Sequence, residues 1–211
     1  MRRERAGPVA GVVLAAGAST RMGRNKLFLR LDGESLLRRA VGRAAAAGLD
    51  PVLVVVGHEA DRAVAELSGL PCRTAVNPDY ESGLSSSIRV GLAAVPAEAC
   101  AAIVLLADMP FVTDRMIASL VERYRGSSAP LVVSDYAGVQ APPTLYDRSL
   151  FGELGEIEGE GCGRRVARRH ASEATALAWP AAALTDLDRP EDYEKVKSEL
   201  EAREKQCAPT S

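Results

Sequence analysis

The chain has 211 residues, 47% hydrophobic and 26% charged, and its 26 Lys and Arg nearly cancel its 28 Asp and Glu to leave a net charge of −2. That is an ordinary balance for one globular domain, without the basic excess of a general nucleic-acid binder or an apolar run long enough to span a bilayer. Cys72, Cys100, Cys162 and Cys207 are scattered, with no Cys-x-x-Cys pair and no histidine at zinc-finger spacing, which argues against a disulfide scaffold or structural zinc and for reducing cytoplasm.

The charged start, Met1-Arg2-Arg3-Glu4-Arg5, leads into an apolar stretch that contains glycine and ends in a polar loop, so no secretory signal is expected. Val9 to Ala15 is a strand-like apolar run ending at Gly17. Ser35 to Ala47 predicts a helix, with Leu36, Leu37, Ala40, Val41 and Ala44 at spacings of three and four and Gly48 as its stop. Pro51 to Val56 predicts a second strand, ending at Gly57-His58. A serine-rich turn at 85–87 leads into a helix carrying Ile88, Leu92 and Val95. Ala101 to Ala107 is a third strand, ending at Asp108-Met109-Pro110. Thr113 to Tyr124 predicts a helix capped by Thr113 with Met116, Ile117, Leu120 and Val121 on one face. Pro130 to Ser134 is a fourth strand. Gly138 to Thr144, with Pro142-Pro143, reads as a loop, and Glu201 to Ser211 as a loose tail after one domain at 1–200.

The strands are apolar on consecutive residues, which suits a sheet covered on both faces. Their alternation with helices predicts an α/β fold: a single-domain, doubly wound, mostly parallel sheet of Rossmann-like form. Such sheets bind ligands at the carboxyl ends of their strands, so the loops at Gly17, Gly57 and Asp108 should gather at one edge.

The segment from Leu14 to Leu27 is the most informative. Small residues let backbone approach a ligand, and Ser19, Thr20 and main-chain N–H groups can donate to phosphate. Arg21, Arg24 and Lys26 place three cations within six residues, and Arg21 and Lys26 suit a triphosphate. The plainer alternative is a turn with surface cations, which that density of charge beside Gly17 and Gly23 disfavours. Five residues separate Gly17 from Gly23 and Lys26 precedes Leu27, so this is not a Walker A loop. Gly17-Ala18-Ser19 also lacks the second glycine of a dinucleotide fingerprint.

Leu14-Ala15-Ala16-Gly17-x-Ser19-x-Arg21-Met22-Gly23-x-x-Lys26 resembles the signature of the nucleotidyltransferases that attach a nucleotide to the molybdenum cofactor. Asn77-Pro78-Asp79-Tyr80-x-x-Gly83-x-x-Ser86-Ser87 is similar to a second motif of that family, and Ala107-Asp108-Met109-Pro110 to its Gly-Asp-Met-Pro. Asp186-Leu187-Asp188-Arg189-Pro190-Glu191-Asp192 resembles its Asp-x-Asp-x-Pro-Glu-Asp close, so the resemblance spans residues 9 to about 196. Within the family the chain looks closest to the molybdenum cofactor cytidylyltransferases, which carry Leu-Ala-Ala-Gly where the guanylyltransferase branch carries Leu-Ala-Gly-Gly.

The resemblance implies a nucleotidyltransferase that transfers CMP from CTP to the molybdopterin phosphate and releases pyrophosphate. Arg21, Lys26 and Asp108 would be catalytic, with the two cations on the β- and γ-phosphates. Nucleotide contacts would come from Leu14, Ala15, Ala16, Gly17, Ser19, Lys26, Asn77, Gly83 and Ser86, the Ala15 to Gly17 backbone reading the base. Mg²⁺ takes one or two carboxylates plus water and phosphate oxygens, for which Asp108, Asp186 and Asp188 are candidates; Asp188 could equally cap the helix that Pro190 starts. On the acceptor side, the run from Gly159 to Arg164 is similar to the family's Gly-Asp-x-Gly-Ala-Arg, with Glu160, Cys162 and Gly163 as departures. Gly159 and Arg164 would hold the anionic pterin phosphate, although Arg164 to Arg169 also reads as a solvated basic helix. Gln140-Ala141-Pro142-Pro143-Thr144 stands where cytidylyltransferases carry Gly-His-Pro, which leaves the acceptor open. Expected partners are CTP or another nucleoside triphosphate, a molybdopterin-type phosphorylated acceptor, and a molybdoenzyme or its maturation chaperone. The alternatives are guanylyl or other nucleotidyl transfer to a different phosphorylated acceptor, and a non-catalytic chaperone that binds nucleotide and cofactor.

Overall fold

The computed structural model describes residues 5–19, 22–23, 25–157, 159, 161–185, 187 and 192–198. The expected tail at 201–211 lies outside the described residues. The first strand, β1 (Val9–Ala15), is buried at every position, as its unbroken apolar run requires. Two short strands, β2 (Arg30–Leu31) and β3 (Glu34–Ser35), form a hairpin ahead of helix α1 (Leu36–Ala46). Ser35 caps α1, its Oγ accepting the Arg38 N–H at 3.3 Å, and the helix buries Leu36, Leu37, Val41 and Ala44.

Strand β4 (Val52–Val56), helix α2 (Ala60–Glu66) and strand β5 (Arg73–Val76) follow, then helix α3 (Leu84–Ala93) and strand β6 (Ala101–Leu106). Helix α4 (Asp114–Gly126) is capped by Thr113, whose Oγ1 accepts the Met116 N–H at 3.2 Å. Strands β7 (Leu131–Tyr136) and β8 (Val139–Asp147) form a hairpin, helices α5 (Phe151–Glu156) and α6 (Cys162–Arg169) pack together, and β9 (Ala174–Trp179) closes the sheet. Residues 192–198 are helical, and the Tyr193 hydroxyl donates to the Arg30 carbonyl at 2.7 Å.

The seven-stranded sheet runs in the order β5-β4-β1-β6-β8-β7-β9, parallel except for β8, which is antiparallel to both neighbours. Alternate residues of β1 feed two cores. Val9, Val13 and Ala15 pack with residues of α1, α2 and α4, whereas Ala10, Val12 and Leu14 pack with residues of α3, α5 and α6. The doubly wound expectation therefore holds.

One expectation is corrected. The segment 138–144 is not a loop: from Val139 on it belongs to β8. Two prolines argue against an inner strand because they lack N–H donors, yet here the ladder passes over them. On the β7 side the register runs Val133 to Thr144 and then Ser134 to Ala141, leaving Pro142 and Pro143 in the bulge. Their carbonyls are satisfied from side chains, by the Tyr136 hydroxyl at 2.9 Å and Ser134 Oγ at 2.7 Å respectively. No helix among the described residues is long and apolar enough to cross a membrane.

Candidate active site

The carboxyl ends of β1, β4, β5 and β6 share one edge of the sheet, and there a cleft of about 410 Å³ opens. Its floor is the end of β1, from Leu14 to Gly17, with Ser19 beyond it. Lys26 and Asp108 stand on one side, and Tyr80, Gly83 and Ser87 on another. The predicted residues Leu14, Ala15, Ala16, Gly17, Ser19, Lys26, Gly83 and Asp108 thus line one cleft.

Lys26 opens a single 3₁₀ turn, Lys26–Phe28, capped by Asn25, whose Oδ1 accepts the Leu27 N–H at 3.2 Å. Leu27 is buried beneath it, so the lysine stem leaves a fixed base. Asp108 follows β6, where the Ala107 N–H still bonds the Leu14 carbonyl at 3.2 Å, extending the ladder to the carboxylate's doorstep. Lys26 Nζ meets Asp108 Oδ2 at 2.6 Å, with side chains 14% and 19% exposed. A pair this sheltered is electrostatically strong and leaves neither charge bare.

Asn77 and Ser86 stand behind the cleft wall rather than in its lining. Asn77 is buried, and its Nδ2 donates to Ser86 Oγ and Ser87 Oγ, each at 2.9 Å. Its Oδ1 accepts the Asp79 N–H at 3.0 Å. This clasp folds the 77–87 segment so that Gly83 and Ser87, not Asn77, reach the cleft. Gly159 and Arg164 do not line it either; Arg164 is exposed on α6. Arg21, Asp186 and Asp188 lie outside the described residues. Cys162 is buried at the start of α6 and burial pushes its thiol up, which makes it a protonated core residue.

Sequence reasoning did not assign Tyr80 a role, although it stands inside a quoted motif. The only signal was its place next to Gly57, and that appears only in three dimensions. A Cβ on Gly57 would stand 2.8 Å from the Tyr80 Cβ and 2.9 Å from the Ala16 Cβ. Glycine is therefore needed for β4 to end against both, and the His58 N–H then donates to the Ala16 carbonyl at 3.1 Å. The His58 side chain turns toward Glu59, 3.9 Å away, outside the cleft.

Among the described residues no group of three or more His, Cys, Asp or Glu side chains could form a metal cage. The described donor set in the cleft is one carboxylate, Asp108, beside a lysine. That set suits a cation whose remaining ligands come from water and a bound triphosphate, and not one held by protein alone.

Comparison with known proteins agrees with this geometry. Purine catabolism protein PucB of Bacillus subtilis (strain 168) is 32% identical over 201 residues, covering 89% of this chain and 95% of that protein. The crystal structure of Rv0371c from Mycobacterium tuberculosis H37Rv superposes with a TM-score of 0.82 at 26% identity, over 92% of this chain and 99% of the other. The Rv0371c complex with manganese gives 0.74 at 25% identity, over 90% and 98%. Molybdopterin-guanine dinucleotide biosynthesis protein A from Archaeoglobus fulgidus shares the fold, with a TM-score of 0.65 at 14% identity over 92% of this chain and 100% of the other. The MobA-like NTP transferase domain matches residues 11–174, from within β1 to the start of β9, and the chain belongs to that family.

Proposed function

We propose that this nucleotidyltransferase moves CMP from CTP to the phosphate of molybdopterin in the cytoplasm, with release of pyrophosphate and with a divalent cation at Asp108. The observation that carries the reading is the 2.6 Å pair of Lys26 and Asp108 at the mouth of a glycine-floored cleft. Nucleotidyl transfer needs an acceptor oxygen aligned on the α-phosphorus and neutralisation of the charge that builds on the leaving pyrophosphate. Lys26 supplies a fixed ammonium for that charge. The backbone from Ala15 to Gly17, with Ser19, supplies donors along the nucleotide. The attacking group is an acidic phosphate oxygen, so no strong general base is required, and His58 outside the cleft is consistent with that.

Asp108 would hold Mg²⁺ or Mn²⁺, which would supply Lewis-acid neutralisation of the triphosphate charge. Support for such an ion comes from the single-carboxylate donor set and from the manganese complex of Rv0371c. Asp186 and Asp188 remain the proposed second carboxylates, and Arg21 the second phosphate cation. Support for cytosine comes from the motif resemblance: Ala16, which lines the cleft, stands where the guanylyltransferase branch carries glycine. Support for the pterin acceptor comes from the motif resemblance and the Archaeoglobus fold neighbour. Gly159 and Arg164 are the proposed acceptor contacts. A molybdoenzyme or its maturation chaperone is the proposed protein partner on the motif resemblance, and the name of the Bacillus relative would place it in purine catabolism. Free thiols at Cys72, Cys100 and Cys162 suit reducing cytoplasm.

The test is pyrophosphate release with Mg²⁺ or Mn²⁺ and each of CTP, GTP, ATP and UTP, with and without molybdenum cofactor. Release with CTP only when cofactor is present is the expected result. Release with another nucleotide would replace the substrate. No release despite CTP binding would replace transfer with a non-catalytic binding role.

A further inference from the structure

We propose that Arg43 is a positioning residue for the proposed metal carboxylate: from α1 it holds the backbone of the loop that carries Asp108, and so sets where that carboxylate meets Lys26. The inference rests on the reading of Asp108 given above, and concerns how this chain keeps it in place.

Arg43 Nη1 donates to the carbonyls of both Pro110 and Val112. These belong to the segment that runs from β6 through Asp108 to the cap of α4. Two carbonyls so close along the chain can share one donor only if the backbone curls around it. The Val112 N–H closes the same curl by bonding the Met109 carbonyl at 3.3 Å. Met109, Phe111 and Val112 are buried in the core shared with α1 and α4, and Thr113 begins α4. The residues between Asp108 and the helix are therefore held by burial and by these bonds, and Arg43 supplies a charged tie to two of their carbonyls.

The other end of α1 grips Lys26. The Leu36 N–H donates to the Leu29 carbonyl at 3.0 Å, and the Leu29 N–H to the Lys26 carbonyl at 3.0 Å. Leu36 and Arg43 lie about two helical turns apart, so a single helix is tied to the two segments that carry the partners of the 2.6 Å pair.

A half-buried guanidinium is costly to desolvate, and this one directs its bonds to neutral carbonyls. Burial, with the neighbouring Arg39 adding to it, lowers its pKa to about 10, which leaves it charged at neutral pH. Arg43 does not line the cleft, so it acts through the loop.

The test compares Arg43→Gln and Arg43→Lys with wild type and with Asp108→Asn. Mn²⁺ affinity in the presence of CTP is read by electron paramagnetic resonance, and hydrogen exchange is read over residues 107–113. Arg43→Gln should weaken Mn²⁺ binding about tenfold, as loss of a supporting contact does at other metal sites. It should also speed exchange in 107–113 while CTP affinity without metal stays within about twofold. Arg43→Lys, which can still reach one carbonyl, should recover part of the loss. Loss of Mn²⁺ binding in Asp108→Asn beside wild-type binding in both Arg43 variants overturns the inference alone. Wild-type binding in Asp108→Asn removes the metal reading of Asp108, and the inference with it. A lower melting temperature in Arg43→Gln with unchanged Mn²⁺ affinity and unchanged exchange at 107–113 reduces Arg43 to a core residue and also overturns it.

Discussion

Lys26 Nζ lies 2.6 Å from Asp108 Oδ2 across the mouth of the cleft, the lysine rising from a 3₁₀ turn beyond β1 and the aspartate from the end of β6. Each charge is sheltered enough to need a partner, and each is placed where a triphosphate would bring a better one. On the proposed reading Asp108 would exchange its partner for a divalent cation and Lys26 would exchange its own for phosphate oxygens. The pair holds both side chains near their working positions beforehand, which lowers the ordering cost of binding.

Asp108→Asn keeps the size and the loop ties of Asp108 but removes the charge that a divalent cation needs. Turnover in the pyrophosphate assay should fall by about a hundredfold or more, while circular dichroism stays close to wild type and melting falls modestly as Lys26 loses its charged partner. Near-normal turnover would take Asp108 out of the mechanism.

Lys26→Ala should act differently. CTP affinity should weaken, and the chemical step should slow by about a hundredfold as charge on the leaving pyrophosphate goes unanswered. The variant also leaves Asp108 partly buried beside no ammonium, so added Mn²⁺ should raise its melting temperature more than it raises that of wild type. Thermal shift with and without Mn²⁺ separates this from a solubility effect; equal shifts in the two proteins would mean that the cation does not meet Asp108.

Much of this was legible in the chain itself, and the exceptions have physical causes. β1, β4 and β6 announce themselves because both faces of a central strand must be apolar. β5 is mostly exposed, with Val76 59% accessible, and so carries no such run. β9 alternates half-buried and exposed residues at the other edge. β8 is hidden by its prolines. In the cleft, the glycine loop, Lys26 and Asp108 are local patterns and readable. Asn77 is not readable as a clasp, because its bonds to Ser86 and Ser87 depend on how the turn closes. Arg43 is harder still: beside Arg38 and Arg39 it reads as one more surface arginine, and only the packing of α1 against the 108–113 loop half-buries it.

His170, at the end of α6, gives the molecule a pH-dependent clamp far from the cleft. Its Nε2 lies 2.7 Å from Glu153 Oε2 and its Nδ1 3.3 Å from Glu173 Oε1, while Arg169 also reaches Glu153 at 2.8 Å. The hydrogen bond to Glu153 is the main cause that raises the His170 pKa. Arg169 first, then His170, holds Glu153 below its usual range. The His170 contribution is therefore full below about pH 6.5 and fades as pH rises through the raised value, whereas the Glu153 contribution fades as pH falls through its lowered one. Glu153→Gln should cost more melting temperature at pH 6 than at pH 9. The effect should be small because the groups are exposed, and it should not vanish at pH 9, where Arg169 still pairs with wild-type Glu153. An equal cost at both values would remove His170 from the clamp.

Gly57→Ala tests the wall of the cleft without touching a charge. The new methyl would stand 2.8 Å from the Tyr80 Cβ and 2.9 Å from the Ala16 Cβ, closer than carbon atoms pack. Neither neighbour can rotate away, because in both the crowded atom is the Cβ itself, fixed by the backbone. The end of β4 must therefore retreat from Ala16, stretching the 3.1 Å bond from the His58 N–H to the Ala16 carbonyl. Overpacking of this kind costs about 1–3 kcal/mol, so melting should drop measurably. Nucleotide affinity, read by calorimetry with CTP, should fall as well, since Ala16 and Tyr80 both face the proposed base site. A variant that melts lower but binds CTP as wild type does would place the nucleotide away from this wall, and with it the role given to Ala16 in choosing the base.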